Sequence, residues 1–306
     1  MKLVRQTITA LLSMSLVSIG SISLAQEPDF SQVEIETIPV ADNLYMLTGE
    51  GGNIGVVTGD DGVLLIDDQY APLTDKIKAA VSEISDREIR FLLNTHWHFD
   101  HTGGNENLGK SGVTIVAHDE VYNRMSTDQF IEAFQREIPA SPPAALPDIS
   151  YKDTITFHLN GQTIHGFHVK PAHTDGDTIV HFPDADVIHT GDIYFNGIYP
   201  FIDASSGGSI AGMIRGTEQV LALAGNETKI IPGHGALSNR KELEAYRQML
   251  VDVKLKTEQA IAQGLSLEEF IASNPTANYD ATWGQGFLEP EQFLTIVYQS
   301  YQEDPE

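Results

Sequence analysis

Asn94-Thr95-His96-Trp97-His98-Phe99-Asp100-His101-Thr102-Gly103-Gly104-Asn105 decides how the rest of the chain is read. Three imidazoles and a carboxylate fall between positions 96 and 101, a high density for groups that prefer water. Phe91-Leu92-Leu93 just before them reads as a buried strand. Gly103-Gly104-Asn105 just after them reads as a turn in which the backbone bends closely. Residues two apart on an extended segment share a face, so His96 and His98 can turn toward one ion. Asp100 and His101 follow where strand gives way to loop and can reach a second. Neutral imidazole nitrogen and carboxylate oxygen are ligands that zinc accepts in place of thiolate. Spacing this tight points to a metal site rather than to a merely polar strand end.

A chain of 306 residues with 41% hydrophobic content can bury a sizeable core. Residues 1–25 are expected to be an export signal. Lys2 and Arg5 form a charged start, an apolar stretch follows, and Ser23-Leu24-Ala25 offers the small residues of a cleavage site before Gln26. The stretch is short for a membrane span. This predicts a periplasmic or secreted protein, residues 26–306 forming one domain, with no membrane attachment once the signal is removed. No cysteine occurs, which excludes disulfides, thiolate ligands and a thiol nucleophile. The formal charge of −25 serves solubility and repels phosphate backbones, so a nucleic-acid partner is not expected and a small-molecule substrate is.

Four close-set strands are expected at 34–39, 44–48, 54–58 and 62–66, separated by Asp42-Asn43, Gly51-Gly52-Asn53 and Gly59-Asp60-Asp61-Gly62. That is an antiparallel opening. Residues 72–85 carry helical spacing through Leu73, Ile77, Ala80 and Val81; a strand at 91–95, a short helix at 105–109 and a strand at 114–117 follow. Residues 119–137 also read as a helix, and 139–147 as a rigid proline-rich loop. In the second half, strands at 153–159 and 163–170 flank Asn160-Gly161, a strong hairpin signal. Strands at 178–182, 187–190 and 229–231 follow, with helices at 209–223, 241–263 and 290–301. The helix at 209–223 would face the core with Met213, Val220 and Leu221. Strands and helices alternating in this way, twice over, predict two packed sheets with helices outside.

Three further places end an apolar run and continue into glycine or a turn: Ala172-His173-Thr174-Asp175-Gly176, Thr190-Gly191-Asp192 and Pro232-Gly233-His234-Gly235. Taken with His96 to His101, in this order and spacing, the set resembles the metallo-β-lactamase superfamily over about residues 35–240. The resemblance implies an α/β (α+β) fold, the αββα sandwich of two mixed sheets, with a two-metal cleft at the sheet edges. It implies that His96, His98 and His173 hold one ion, Asp100, His101 and His234 the other, and that Asp192 bridges them.

Two ions roughly 3.5–4 Å apart can share a hydroxide at neutral pH and polarise a carbonyl. Asp100 is the residue best placed to orient that nucleophile and pass on its proton. Asp67 and Asp68 are expected to buttress His96 or His98. His189 and His118 suit roles beside the ligands or, for His118, at the substrate's edge. Trp97, Tyr194, Phe195, Asn196 and Tyr199 can line a cleft, although Phe195 serves core packing equally well. Ser205 to Ser209 reads as a loop ending in an ordinary N-cap.

Zinc β-lactamases of the commonest subclass carry Cys where Asp192 stands and a Lys shortly after it. This chain has Phe195 and Asn196 in place of that Lys. The aspartate instead resembles glyoxalase II and lactonases. The expectation is an exported hydrolase with two Zn2+ (Fe or Mn being accepted by similar ligands) acting on an ester, lactone or cyclic amide. One alternative is an iron oxidoreductase of the same fold, against which His98 argues because diiron relatives carry Glu there. The other is a non-catalytic periplasmic metal-binding accessory protein.

Overall fold

The computed structural model describes residues 29–303. The expected signal at 1–25 lies outside them. In chain order the strands are β1 (Glu36–Ala41), β2 (Leu44–Thr48), β3 (Ile54–Val57), β4 (Val63–Ile66), β5 (Ile89–Leu93), β6 (Thr114–His118), β7 (Gln129–Ile131), β8 (Arg136–Ile138), β9 (Ile149–Tyr151), β10 (Thr154–Leu159), β11 (Gln162–His168), β12 (Thr178–Phe182), β13 (Val187–His189), β14 (Lys229–Ile231) and β15 (Ser238–Asn239). The helices are α1 (Thr74–Ile84), α2 (Phe99–Thr102), α3 (Asn105–Lys110), α4 (Asp119–Met125), α5 (Ile210–Leu223), α6 (Arg240–Ala262), α7 (Leu267–Ala272), α8 (Asp280–Trp283) and α9 (Pro290–Glu303).

One sheet runs β1-β2-β3-β4-β5-β6-β9 and the other β10-β11-β12-β13-β14-β15. The first is antiparallel through β4 and parallel from β4 to β9. The second is antiparallel through β13, parallel at β13–β14 and antiparallel again at β15. Both sheets are therefore mixed, as expected.

β4 shows why they stack. All four of its side chains are buried, and alternate ones point to opposite faces. Leu64 and Ile66 pack with Val180, Phe182 and Ile231 of the other sheet. Val63 and Leu65 pack outward with Ile77 and Val81 of α1. On the far side, Ile188 and Ile230 of the second sheet pack with Met213 of α5, Leu250 of α6 and Phe293 of α9. The result is four layers, αββα. Each such aliphatic side chain contributes about 1.5–3 kcal/mol relative to exposure, so the inter-sheet face holds the ligand-bearing loops on a stiff base.

At Asn160-Gly161 both residues take positive φ (55° and 71°), the requirement of the tight hairpin that the sequence predicts. Three expectations need correction. Residues 119–137 are not one helix: α4 stops at Met125, and β7 and β8 form a separate hairpin. The turn is held by Arg124 Nη1 donating to Gln129 Oε1 (3.1 Å) and by Ser141 N donating to Met125 O (2.7 Å), tertiary bonds that outweigh the local helical spacing. A strand at 149–151, between the loop expected at 139–147 and the strand expected at 153–159, pairs with β6 and was not anticipated. On α5, Leu221 is only partly buried; Ile210, Ile214 and Thr217 complete the inner face with Met213 and Val220. Helices α7 and α8 lie in a region for which the sequence reading offered no element.

Candidate metal centre

All seven expected ligands arrive on segments that follow strands. His96 and His98 lie in the loop after β5, and Asp100 and His101 open α2. His173 follows β11, Asp192 sits in a tight turn after β13, and His234 follows β14. His96, His98 and His173 bring ligand atoms within 4.8 Å of one another; so do His96, His101 and Asp192, and so do Asp100, His101 and His234. His101 and His96 appear in two groups each, so the three form one continuous cluster. Asp192 touches both ends: Oδ2 is 3.4 Å from Nε2 of His173 and of His234, and Oδ1 is 3.1 Å from His101 Nε2. Asp100 Oδ2 is 3.3 Å from His234 Nε2.

The far side of each ring fixes what the near side presents. Phe201 O can only accept, so His173 Nδ1, 2.8 Å away, carries the proton and Nε2 offers a lone pair. Asp203 Oδ2 accepts from His98 Nε2 (3.0 Å), which turns His98 Nδ1 toward the cluster. Asp67 Oδ2 accepts from His101 Nδ1 (2.8 Å). It also accepts from the Thr95 hydroxyl (2.7 Å), so Thr95 Oγ1 in turn accepts from His96 Nδ1 (3.0 Å). Four imidazoles are thereby oriented with a bare nitrogen inward.

Such an arrangement demands a cation. His98 Nδ1 and His173 Nε2 stand 2.8 Å apart, lone pair to lone pair. His96 Nε2 and Asp192 Oδ1 are buried without any hydrogen-bond partner. Orphaned buried acceptors are costly unless charge compensates them. The donor set, imidazole nitrogen with carboxylate oxygen, suits divalent first-row ions. Protons alone compensate only in part. Burial would lower His101 and His234, but Asp192 and its acidic neighbours outweigh it, raising His101 well above its usual range and His234 to about 9. Burial wins at His96, held well below its usual value, and at His173, lowered to about 4. Burial would raise Asp100, yet the His101 and His234 imidazoles hold it at about 2; the same balance, led by His101, holds Asp192 well below the carboxylate range.

Local backbone geometry makes room for this packing. A Cβ on Gly52 would lie 2.0 Å from His101 Cε1, and one on Gly233 2.0 Å from Asp192 Oδ1. Asp67 is fully buried at φ 64°, an unfavourable backbone for a non-glycine residue that its three hydrogen bonds to Thr95 and His101 sustain. Asn53 ties the two sheets together beside His234: its backbone N donates to Gly233 O (2.7 Å), and its amide to Pro232 O (2.9 Å) and Gly235 O (2.8 Å).

The supporting residues differ in part from expectation. Asp67 buttresses His101, and His96 only through Thr95. Asp68 instead accepts from Gly104 N (2.9 Å), and it is Asp203, which the sequence reading missed, that holds His98. His189 secures the Asp192 turn: Nδ1 accepts from Gly191 N (3.2 Å) and Nε2 donates to Asn53 O (3.1 Å). His118 is a cap of α4, accepting from Glu120 N (3.2 Å), and stacks on His168 at 3.8 Å. Trp97, Tyr194, Phe195 and Tyr199 are all buried, so they pack the core rather than line a cleft; Phe195 stacks on His234 at 5.1 Å. Asn196, half-buried, donates to Ala236 O. Ser209 is the N-cap of α5, and the Ser205 and Ser206 hydroxyls both donate to Asp203.

The comparisons with known proteins agree with this geometry. The family model described as Metallo-beta-lactamase superfamily matches residues 47–253, and the chain belongs to that superfamily. It is 23% identical over 239 residues to the 2,4-dinitroanisole O-demethylase subunit alpha of Nocardioides sp. (strain JS1661), covering 76% of this chain and 68% of that one. It is 30% identical over 197 residues to the hydroxyacylglutathione hydrolase of Brucella ovis, covering 61% of this chain and 63% of that enzyme. Among solved structures, a metallo-beta-lactamase from Pontibacter korlensis superposes with a TM-score of 0.59 at 16% identity, over 72% of this chain and 100% of its own. DIM-1 metallo-beta-lactamase gives 0.58 at 18% identity, over 72% and 99%. These likenesses establish the fold; the seven clustered ligands supply the divalent-metal character.

Proposed function

We propose that this protein is an exported hydrolase that uses two zinc ions to open an ester, lactone or cyclic amide. The observation that carries it is the placement of Asp192 between the two ligand sets: Oδ2 lies 3.4 Å from both His173 Nε2 and His234 Nε2, one member of each set, and Oδ1 lies 3.1 Å from His101 Nε2. His96, His98 and His173 would hold one ion, and Asp100, His101 and His234 the other. Ions bound there supply acidified water as a nucleophile and polarise the carbonyl under attack.

The chain's own part is orientation and proton handling. Asp67, Asp203, Thr95 and Phe201 O lock the imidazoles, so the ligand set forms without rearrangement. Asp100 is the ligand whose carboxylate reaches solvent, at 20% side-chain exposure. Its Oδ2 can take the proton of the attacking water and return it to the departing oxygen or nitrogen. The Brucella relative's hydrolytic name, the aspartate at 192 and the absence of cysteine favour acyl hydrolysis over a cysteine-type zinc β-lactamase.

The test is metal analysis of the isolated protein, paired with turnover of a panel of esters, lactones, thioesters and β-lactams. Two equivalents of zinc with turnover that chelation abolishes would uphold the reading; no turnover of any member would sink it. The Nocardioides relative favours a second reading, cleavage of an aryl methyl ether, and 2,4-dinitroanisole in the same panel decides it.

A further inference from the structure

The β7–β8 hairpin brings a guanidinium with no acidic partner onto the ring of Phe99, the residue between His98 and Asp100. In its register Ile131 pairs with Arg136, and Phe130 with Glu137. Opposed residues share a face, so Arg136 lies on the side of buried Ile131, while Glu137 projects from the other. There the Arg136 Cζ sits 4.1 Å from the centre of the Phe99 ring. Phe99 stands between His98 and Asp100, and its ring is 5.9 Å from that of Tyr70. Tyr70 and Asp100 both border Gly51, whose added Cβ would lie 3.1 Å from Tyr70 Cε2 and 3.3 Å from Asp100 Cβ. At the hairpin's turn Phe134, 44% exposed, lies 4.6 Å from Phe201, which itself contacts His98 and His173 at 5.7 and 5.8 Å. The hairpin thus spans the cluster from the His98–His173 side to the Asp100 side.

The Arg136 side chain makes no hydrogen bond, and no ion pair within 4.0 Å, among the described residues. Arg136 is exposed, so its unpaired N–H donors face solvent, open to a ligand, in a chain with 43 acidic and 18 basic residues. Arg87, Arg124, Arg240 and Arg247 are all paired with carboxylates. The Phe99 face supports the guanidinium plane without consuming its N–H donors.

We propose that Arg136 is a specificity-determining residue that grips a carboxylate on the substrate, with Phe134 covering the apolar part of the same molecule. The assignment rests on the hydrolase reading above and narrows it to acyl compounds that bear an acid group. The guanidinium fork matches a carboxylate in two parallel hydrogen bonds, which lysine cannot reproduce fully.

The test compares the metal-loaded protein with its Arg136→Gln and Arg136→Lys variants on p-nitrophenyl hydrogen succinate and neutral p-nitrophenyl butyrate. Arg136→Gln is expected to lower kcat/KM for the succinate about tenfold, mainly through KM, and to leave the butyrate unchanged; Arg136→Lys restores part of the loss. Binding of phenylacetate, followed by calorimetry, is read independently of turnover and should weaken about tenfold in Arg136→Gln. An equal effect on both esters, or unchanged phenylacetate affinity, would overturn the assignment. If neither ester turns over while phenylacetate binding still depends on Arg136, the anion subsite stands and the hydrolase reading falls.

Discussion

Asp203 Oδ2 lies 3.0 Å from Nε2 of His98, 105 positions earlier in the chain, and this contact turns His98 Nδ1 toward the metal cluster. The aspartate is 1% exposed; burial would weaken its acidity, but His98 and the Ser205 and Ser206 hydroxyls that grip it outweigh burial and hold it below the usual carboxylate range. Asp203→Asn keeps the shape but replaces an acceptor-only carboxylate by a neutral amide, one end of which is a donor that cannot accept from His98 or the serine hydroxyls. Metal affinity, measured by competition with a chromogenic chelator, should fall about 10–100-fold while the circular dichroism spectrum is retained.

Gly52 leaves room for His101 and for nothing else. An alanine methyl there would lie 2.0 Å from the imidazole Cε1, and His101 is fully buried with Asp67 behind it. Gly52→Ala should therefore displace the ring, drop the bound metal toward one equivalent, and lower stability by about 1–3 kcal/mol in urea titrations. Unchanged stoichiometry would show that the loop yields more easily than its hydrogen bonds indicate.

Protons and metal ions compete for the same inward nitrogens. In chelator-stripped protein His234 has a folded value of about 9, raised above its ordinary 6.5, so its protonation stabilises the fold fully below pH 6.5. That contribution is lost as pH rises toward 9. His173, lowered to about 4, acts in the opposite sense: stability falls as pH drops from 6.5 toward 4, because the unfolded chain takes up the proton first. Thermal denaturation of the stripped protein should show both slopes, and the zinc-loaded protein should lose the alkaline one.

Asp100 is both a proposed ligand and, at 20% side-chain exposure, the carboxylate of the cluster most open to solvent. Replacing it by asparagine at saturating zinc should reduce kcat by about 10²-fold or more while KM moves little, since the loss lies in proton transfer. Stopped-flow rates for substrates with good and poor leaving groups provide the check: the poor leaving group should suffer more.

How much of this could be read from residues alone follows from whether the relevant signal is local. The ligands announce themselves because each ends an apolar strand and meets a glycine, and β4 could be placed because its neighbours punctuate it with turn residues. Ser266 and Glu269 form a capping box at α7, a legible mark that went unread. The β7–β8 hairpin was hidden by helical spacing through 119–137; what breaks it is a set of bonds from Gln129, Ser141 and Asp128 that depend on the folded loop. Asp203 was hidden for a different reason. It has no glycine flank and no strand before it, and its partner is distant, so only the packed sheets bring it to His98.

Asn53 carries one more implication. By clamping the turn after β2 to the Pro232–Gly235 segment, it makes the ligand array the product of docking between the chain's early and late portions. A nascent polypeptide presents His96 through His101 long before Asp192 and His234 exist, and so has only a weak hold on metal while it is synthesised. Tight capture is deferred until the last sheet is in place, which makes ion uptake a readout of completed folding in whatever compartment the finished chain reaches.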